Sequence, residues 1–91
     1  MADFQLQIYT QQSKAFDAPV TSIVVPGESG YLGVLAHHAP LVATLGRGTL
    51  TIRQQAGESC YYLSGGFLEV HGNVATLLVE EFKPSAPAAK S

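Results

Sequence analysis

Tryptophan is absent from this 91-residue chain, cysteine occurs once, and only five side chains are cationic. A lone Cys60 cannot form an intrachain disulfide, which excludes a disulfide-stapled secreted domain. The five lysines and arginines are scattered and the net charge is −2, which argues against a surface for nucleic acid or for anionic membranes. The chain also lacks a signal-peptide pattern and any apolar run near the ~20 residues that cross a bilayer. These absences predict a cytoplasmic location.

Hydrophobic residues make up 46% of the chain and charged residues only 13%. The hydrophobic share is typical of a globular protein, and the length is that of one domain. The charged share is low for a protein whose whole surface meets water. It suggests that a partner covers part of the surface.

Apolar and polar residues alternate along much of the chain. In the opening segment Phe4, Leu6 and Ile8 occupy alternate positions, which is the period of a half-buried strand. Turn signals rich in Gly, Pro and Asn recur every several residues, as in residues 26–30 and 71–73. This pattern predicts an all-β fold, a sandwich or barrel with about eight to ten short strands.

The composition changes near the C-terminus. Residues 83–91 are rich in Pro, Ala and Ser and poor in large apolar side chains. We therefore expect one folded domain over residues 1–82, followed by a flexible tail over residues 83–91.

The histidines and the cysteine do not form a metal-binding pattern. His37 and His38 are adjacent, His71 is distant, Cys60 has no histidine nearby, and the single methionine is Met1. Adjacent side chains on a strand point to opposite faces, and a type 1 copper site needs two His, one Cys and a weak axial ligand. We predict loop histidines, a small core cysteine and no metal site.

Catalytic motifs are also missing. Ser29 and Ser64 lie in Gly-rich segments, but neither lies in the strand-to-helix elbow of a hydrolase. The glycines lack the Lys and the helix of a phosphate-binding loop, so we predict that they serve turns and bulges. The neighbouring Glu80 and Glu81 are predicted to be solvated. The residues therefore predict no catalytic group and no cofactor, and favour a binding or assembly module.

Two long motifs carry the interpretation further. Residues 25–41 read VPGESGYLGVLAHHAPL, and residues 62–70 read YLSGGFLEV, followed by NVATL at residues 73–77. In this order, with GTLTIR at residues 48–53 between them, they resemble the N-terminal domain of the epsilon subunit of F-type ATP synthases. The resemblance covers roughly residues 3–81.

The resemblance implies a flattened β-sandwich of ten strands at the foot of the central stalk of the synthase. It implies two partners, the gamma subunit and the polar loops of the membrane c-ring, and a peripheral place at the cytoplasmic face of the membrane. ATP is made or hydrolysed in a separate head, so the subunit itself is not an enzyme. It would couple the c-ring to gamma during proton-driven synthesis, although the sequence leaves the coupling ion open.

The resemblance also implies contact residues. Candidates for the c-ring contact lie in one loop and the adjoining turn: Glu28, Ser29, Gly30, Tyr31 and His38. The family often has an acidic residue at the position of Tyr31, so we expect a hydrogen-bonding or apolar contact there in place of an ionic one. The family usually has Gly where this chain has Ala36.

Candidates for the gamma contact lie in the second motif: Gly65, Gly66, Phe67, Leu68 and Glu69. A simple corner between two strands explains the same residues equally well, and both interpretations stay open.

Most family members continue into a two-helix hairpin that can inhibit ATP hydrolysis. This chain ends at Ser91, so we expect no inhibition by helix extension. Two other functions compete with the rotor subunit. A free-standing ligand-binding sandwich is disfavoured by the absence of Trp, and a small hydrolase or metalloenzyme by the missing motifs.

Overall fold

A computed structural model describes residues 2–85. These residues form seven strands and no helix, which confirms the all-β prediction. The strands pair in the order β2-β1-β7-β6-β5-β3-β4, and every pairing is antiparallel except that of β1 with β7. Their bounds are β1 Phe4–Tyr9, β2 Lys14–Val20, β3 Ser22–Gly27, β4 Gly30–Leu35, β5 Leu41–Gln54, β6 Gly57–His71 and β7 Val74–Pro84.

The two longest strands, β5 and β6, belong to both layers of a β-sandwich. Residues 41–45 of β5 pair with residues 66–70 of β6 and, with residues 74–79 of β7, β1 and β2, form the first layer. Residues 47–54 of β5 pair with residues 57–64 of β6 and, with residues 81–84 of β7, β3 and β4, form the second layer. The sheet thus folds over at the middle of these strands, which explains how one continuous sheet makes two layers.

The strand number is lower than predicted because two Gly-rich segments are bends within strands. Around residues 46–48 and 64–66 the pairing register is unchanged, with Leu45 opposite Gly66 and Arg47 opposite Ser64. A turn would reverse the chain, whereas here the chain continues and changes layer. The predicted strands on either side of each segment therefore merge into β5 and β6.

One apolar core fills the space between the layers. The inward residues of β1 are Phe4, Leu6 and Ile8, as the period-two pattern predicts. Full burial of a large apolar side chain contributes about 1.5–3 kcal/mol, so this core is the main source of stability. The buried cluster comprises Phe4, Leu6, Ile8, Val20, Ile23, Val25, Val34, Leu45, Leu50, Ile52, Leu63, Leu68, Val70, Ala75, Leu77 and Val79.

Aromatic contacts join the layers beside strand β2. The ring of Tyr61 stacks on that of Phe82 with centroids 4.6 Å apart, and Phe16 meets Tyr61 edge-on at 6.3 Å. Both arrangements suit the charge distribution of aromatic rings. They link β2 of the first layer to β6 and β7, where those strands belong to the second layer.

The folded part extends slightly further than expected. Strand β7 ends at Pro84, so Lys83 and Pro84, which we assigned to the tail, lie in the strand. The Ser85 N–H donates to the Cys60 carbonyl at 3.1 Å. Cys60 is buried, which confirms the predicted core cysteine. The remainder of the predicted tail, residues 86–91, lies outside the described residues.

Gly66 is the residue of the bend that tolerates substitution least. Its φ is +124°, and a Cβ there would overlap the carbonyl oxygen of Leu78 on the neighbouring strand. We expect Gly66→Ala to lower the free energy of unfolding by at least about 2 kcal/mol, because the backbone must shift and is strained. Urea unfolding measures the change.

Gly33→Ala is the matched control, since a Cβ at Gly33 meets nothing within 4 Å. We expect its unfolding midpoint to match or slightly exceed that of the unmodified chain. Equal midpoints for Gly66→Ala and Gly33→Ala would show that the close approach at Gly66 does not constrain the fold.

Candidate partner-binding surfaces

The β3–β4 hairpin carries most of the predicted c-ring residues. Gly27 lies opposite Gly30, and Glu28 and Ser29 form the two-residue turn between them. Glu28, Ser29 and Gly30 are all exposed. The Glu28 N–H donates to the Thr44 carbonyl at 2.9 Å, which fixes the turn against strand β5. The hairpin therefore exposes the Glu28 carboxylate on a turn that is hydrogen-bonded to strand β5.

Tyr31 is exposed at its ring but anchored at its hydroxyl. Strand β3 contains a bulge around Pro26, so the middle of β5 lies opposite the bulge and not opposite a paired strand. There the Tyr31 hydroxyl accepts a hydrogen bond from the Thr49 N–H at 3.2 Å. Gly48 leaves room for this contact, because a Cβ at Gly48 would stand only 2.5 Å from the hydroxyl oxygen. The hydroxyl proton remains available for donation to a partner.

His38 lies beyond the other end of strand β4. It is exposed, follows a turn in which its N–H donates to the Leu35 carbonyl at 3.3 Å, and has its Nδ1 2.7 Å from the Ala39 carbonyl oxygen. Six residues at about 3.3 Å each separate this turn from the Glu28 hairpin. His38 and Glu28 therefore lie at opposite ends of β4, in two successive connections.

The left-handed residue of this turn is His37 and not Ala36. The φ of His37 is +64°, a conformation for which glycine has no steric penalty. Ala36 does not require the freedom of glycine, so its presence there is sterically unremarkable. The strained position is the residue directly before His38.

Strand β4 itself connects the two ends. It is an edge of the sheet, and its outward residues Tyr31, Gly33 and Leu35 are exposed, Leu35 to 65%. We call these three residues, with Glu28 and His38, the β4 surface. No side chain within β4 is charged.

The opposite sheet edge has different chemistry. On β2 the Lys14 ammonium lies 2.8 Å from the Asp17 carboxylate. This hydrogen bond raises the pKa of Lys14, and the hydrogen bonds from Lys14 and Gln5 lower the pKa of Asp17. Charges and Pro19 on an edge strand discourage pairing with another chain. Of the two edges, β4 is thus the one suited to contact.

The predicted gamma residues divide between surface and core. Gly65 and Gly66 form the bend between the layers, with φ values of +64° and +124°. Phe67 and Glu69 are exposed, whereas Leu68 is fully buried and cannot present its side chain to a partner. The segment is therefore a strand corner, and its Phe67 and Glu69 side chains form part of an outer surface.

Phe67 belongs to a row of side chains across four strands. Leu78 lies opposite Phe67, Tyr9 lies opposite Leu78, and Thr44 lies opposite Phe67 on the other side. We call Tyr9, Leu78, Phe67 and Thr44 the outer row. Phe67 is 54% exposed and Leu78 is 49% exposed. Val42, two residues from Thr44, is exposed to 73% and extends the apolar area.

Sequence reasoning missed three members of this apolar area: Tyr9, Val42 and Leu78. A signal exists for Leu78, because Leu77, Leu78 and Val79 are three consecutive apolar residues in one strand. With period two, the middle one must point away from the side that buries the other two. Such a run marks either a strand buried on both faces or an outward apolar contact.

Acidic side chains border the outer row. Glu69 is exposed beside it, and Glu80 lines the same shallow depression as Phe67 and Leu78. Glu81 accepts a hydrogen bond from the Ser64 hydroxyl at 3.0 Å. The area thus combines an apolar centre with a negative margin.

Residues 2–85 contain no group of three or more His, Cys, Asp or Glu side chains placed to hold a metal ion. In the same part of the chain, no helix has the length and apolar character needed to cross a membrane.

Comparison with known proteins gives consistent matches. The family model described as "ATP synthase, Delta/Epsilon chain, beta-sandwich domain" matches residues 3–85. The sodium-ion-specific ATP synthase epsilon chain of Propionigenium modestum is 37% identical over 81 residues, covering 89% of this chain and 59% of that one. The epsilon chain of Chlorobium limicola is 39% identical over 79 residues, covering 86% of this chain and 90% of that one.

Solved structures agree with these matches. A chain of the Euglena gracilis mitochondrial ATP synthase, in an assembly of OSCP, F1 and c-ring, superposes with a TM-score of 0.86 at 30% identity. The match covers 92% of this chain and 54% of that one. A chain of the Tetrahymena thermophila central stalk and c-ring superposes at 0.74 with 16% identity, which shows the fold alone.

This chain spans between 55% and 59% of the length of several of the relatives that it matches. The resemblance read from residues 25–41 and 62–70 is confirmed by the family model, the relatives and the Euglena structure. The chain belongs to the delta/epsilon chain family of ATP synthase, and residues 3–85 are its β-sandwich domain.

Proposed function

We propose that this chain is a non-catalytic coupling subunit of the central stalk, joining the c-ring to the gamma subunit during proton-driven ATP synthesis. It would lie peripherally at the cytoplasmic face of the membrane as part of the complex. The observation that carries the proposal is a pair of exposed surfaces of different chemistry on one domain, the outer row and the β4 surface, which meet where the Glu28 N–H donates to the Thr44 carbonyl. The Euglena assembly that contains the similar chain also contains F1 and a c-ring, which supports these partners.

The outer row is the proposed gamma-binding surface. Phe67, Leu78 and Val42 are large apolar side chains exposed to 54%, 49% and 73%. Removing exposed apolar area from water contributes a favourable free energy of about 25 cal/mol per Å². A complex in which a partner buries these side chains is therefore stabilised. Apolar centres with polar rims are common in protein interfaces. The Glu69 and Glu80 margin favours a partner with an apolar centre and Lys or Arg around it.

The β4 surface is the proposed c-ring contact. Its central residues are uncharged, and the Tyr31 hydroxyl retains a proton to donate after accepting the Thr49 N–H. Glu28 and His38 add polar groups at the two ends of the strand. This chemistry matches polar loops better than a lipid surface, which would require clustered cations.

The continuous strands explain how the domain would transmit torque. The outer row lies on the first layer and the β4 surface belongs to the second, while β5 and β6 run through both. Sliding one layer over the other would break the pairing ladder of these strands and disturb a close-packed core. Such interiors have low compressibility and transmit strain. A force applied at β4 is therefore transmitted to the outer row along the continuous backbone of β5 and β6.

The first test concerns gamma. Phe67→Ala removes a ring from the centre of the outer row, and we expect at least about tenfold weaker binding to the gamma subunit of the same organism. Isothermal titration of purified gamma with the chain measures the affinity. The folded stability should change little, because the ring is half-exposed.

Leu35→Ala is the matched control, since Leu35 is also a large exposed apolar residue and lies on the other layer. It should leave gamma affinity unchanged. Equal losses for both variants would refute the assignment of the outer row. Absence of any complex between gamma and the unmodified chain would refute the stalk proposal and favour a free-standing ligand-binding module.

The second test concerns the c-ring. We expect Leu35→Ser and Tyr31→Phe to weaken binding of the chain–gamma complex to detergent-solubilised c-ring, each by about three- to tenfold. Leu35→Ser removes apolar contact and Tyr31→Phe removes the hydroxyl donor. Sedimentation of the ring with labelled complex gives the affinity.

Val42→Ser serves as the reciprocal control, because Val42 lies on the gamma-facing layer. With gamma at saturating concentration, we expect the Val42→Ser variant to bind the ring as tightly as the unmodified chain does. If Val42→Ser weakens ring binding as much as Leu35→Ser, then the two surfaces are not separate and the proposed division is wrong.

A further inference from the structure

One side chain at the β6–β7 turn bonds to two distant segments of the chain. The Asn73 side-chain oxygen accepts a hydrogen bond from the His37 N–H at 2.7 Å, and its amide nitrogen donates to the Asp3 carbonyl at 2.9 Å. The Asn73 backbone carbonyl accepts from the Gln5 N–H at 3.2 Å. The side-chain partners are 36 and 70 residues away along the chain.

Asparagine suits this place for two reasons. Its amide group both accepts and donates, whereas an aspartate carboxylate can only accept. Its backbone has a φ of +61°, and Asn is among the few residues that adopt this left-handed conformation readily. A substitution by most other residues would lose both properties at once.

The segment held by Asn73 is the connection over residues 36–40. Within it, His37 has a φ of +64°, which is uncommon for a residue with a side chain. Conformations of this kind persist where the surrounding structure imposes them. The 2.7 Å bond to Asn73 is shorter than the 3.3 Å bond from the His38 N–H to Leu35 in the same turn. Asn73 thus provides the stronger restraint.

We propose that Asn73 is a positioning residue that fixes the connection over residues 36–40 and thereby the orientation of His38 on the β4 surface. The role of His38 toward the c-ring rests on the proposed function, whereas the restraint itself does not. Because Asn73 also contacts Asp3 and Gln5 at the start of β1, it ties the end of β4 to the layer that carries the outer row. Asn73 thus adds a link between the two surfaces to those made by the Glu28–Thr44 hydrogen bond and by β5 and β6.

Two variants separate the bonds that Asn73 makes. Asn73→Gly keeps the left-handed backbone accessible and removes both side-chain bonds. Asn73→Asp keeps an acceptor for the His37 N–H and loses the donor to Asp3. Hydrogen exchange of the His37 amide, followed by NMR, reports the restraint directly.

We expect His37 amide exchange to accelerate at least about tenfold in Asn73→Gly and to stay near the unmodified rate in Asn73→Asp. The imidazole chemical shifts of His38 should move toward those of an unstructured peptide in Asn73→Gly only. Unchanged exchange in Asn73→Gly would overturn the proposal.

A control variant that loses a side-chain bond elsewhere in the fold distinguishes positioning from general destabilisation. Thr21→Val removes the bond from the Thr21 hydroxyl to the Arg53 carbonyl, one side-chain contact to backbone, without touching residues 36–40. In complex with gamma, Asn73→Gly should bind detergent-solubilised c-ring about three- to tenfold more weakly than Thr21→Val does. Equal ring affinities in these two variants would overturn the positioning role.

The outcomes for the two proposals are distinguishable. If the unmodified chain–gamma complex fails to bind the ring, the c-ring assignment is refuted, while the exchange rates of the His37 amide still decide the restraint. If the ring is bound and the exchange rate does not respond to Asn73→Gly, the proposed function stands and the positioning role fails.

Discussion

The passage of strands β5 and β6 through both layers is the constraint on which the rest of the structure depends. Each layer has one apolar face, and neither is stable in water until the other covers it. Because the same two strands supply both faces, the core can form only when the chain bends at residues 46–48 and 64–66. The glycines at these bends are therefore conditions of the fold, Gly66 most strictly, since the Leu78 carbonyl occupies the space of a side chain.

The same constraint suits the domain to the proposed mechanical role. A sandwich made from two separate sheets can shear at the contact between them, because only side-chain packing opposes the movement. Here shear would also break main-chain hydrogen bonds along β5 and β6, and the aromatic contacts of Tyr61 with Phe16 and Phe82 add a second connection. Rigidity thus follows from topology as well as from packing density.

The two surfaces differ in chemistry. The outer row offers large apolar side chains with an acidic margin, and the β4 surface offers an uncharged edge with polar groups at its ends. Leu68 shows how strictly strand alternation controls this division, because it lies between two exposed residues and is itself fully buried. A contact surface on a sandwich is consequently made from alternate residues of several strands and not from one continuous segment.

The amino-acid sequence by itself determined the all-β class, the inward residues of β1, the buried Cys60 and the family, since period-two alternation and the two long motifs are properties of neighbouring positions. It predicted too many strands, because Gly-rich bends and Gly-rich turns look alike until their pairing partners are known. Tertiary structure alone decided that Leu78 and Val42 join Phe67 on one face. It also decided that the Asn73 side chain contacts His37 and Asp3, which are 36 and 70 positions away along the chain. The physical reason is that facing and pairing arise from contacts between distant segments, whereas one sequence records only spacing along the chain.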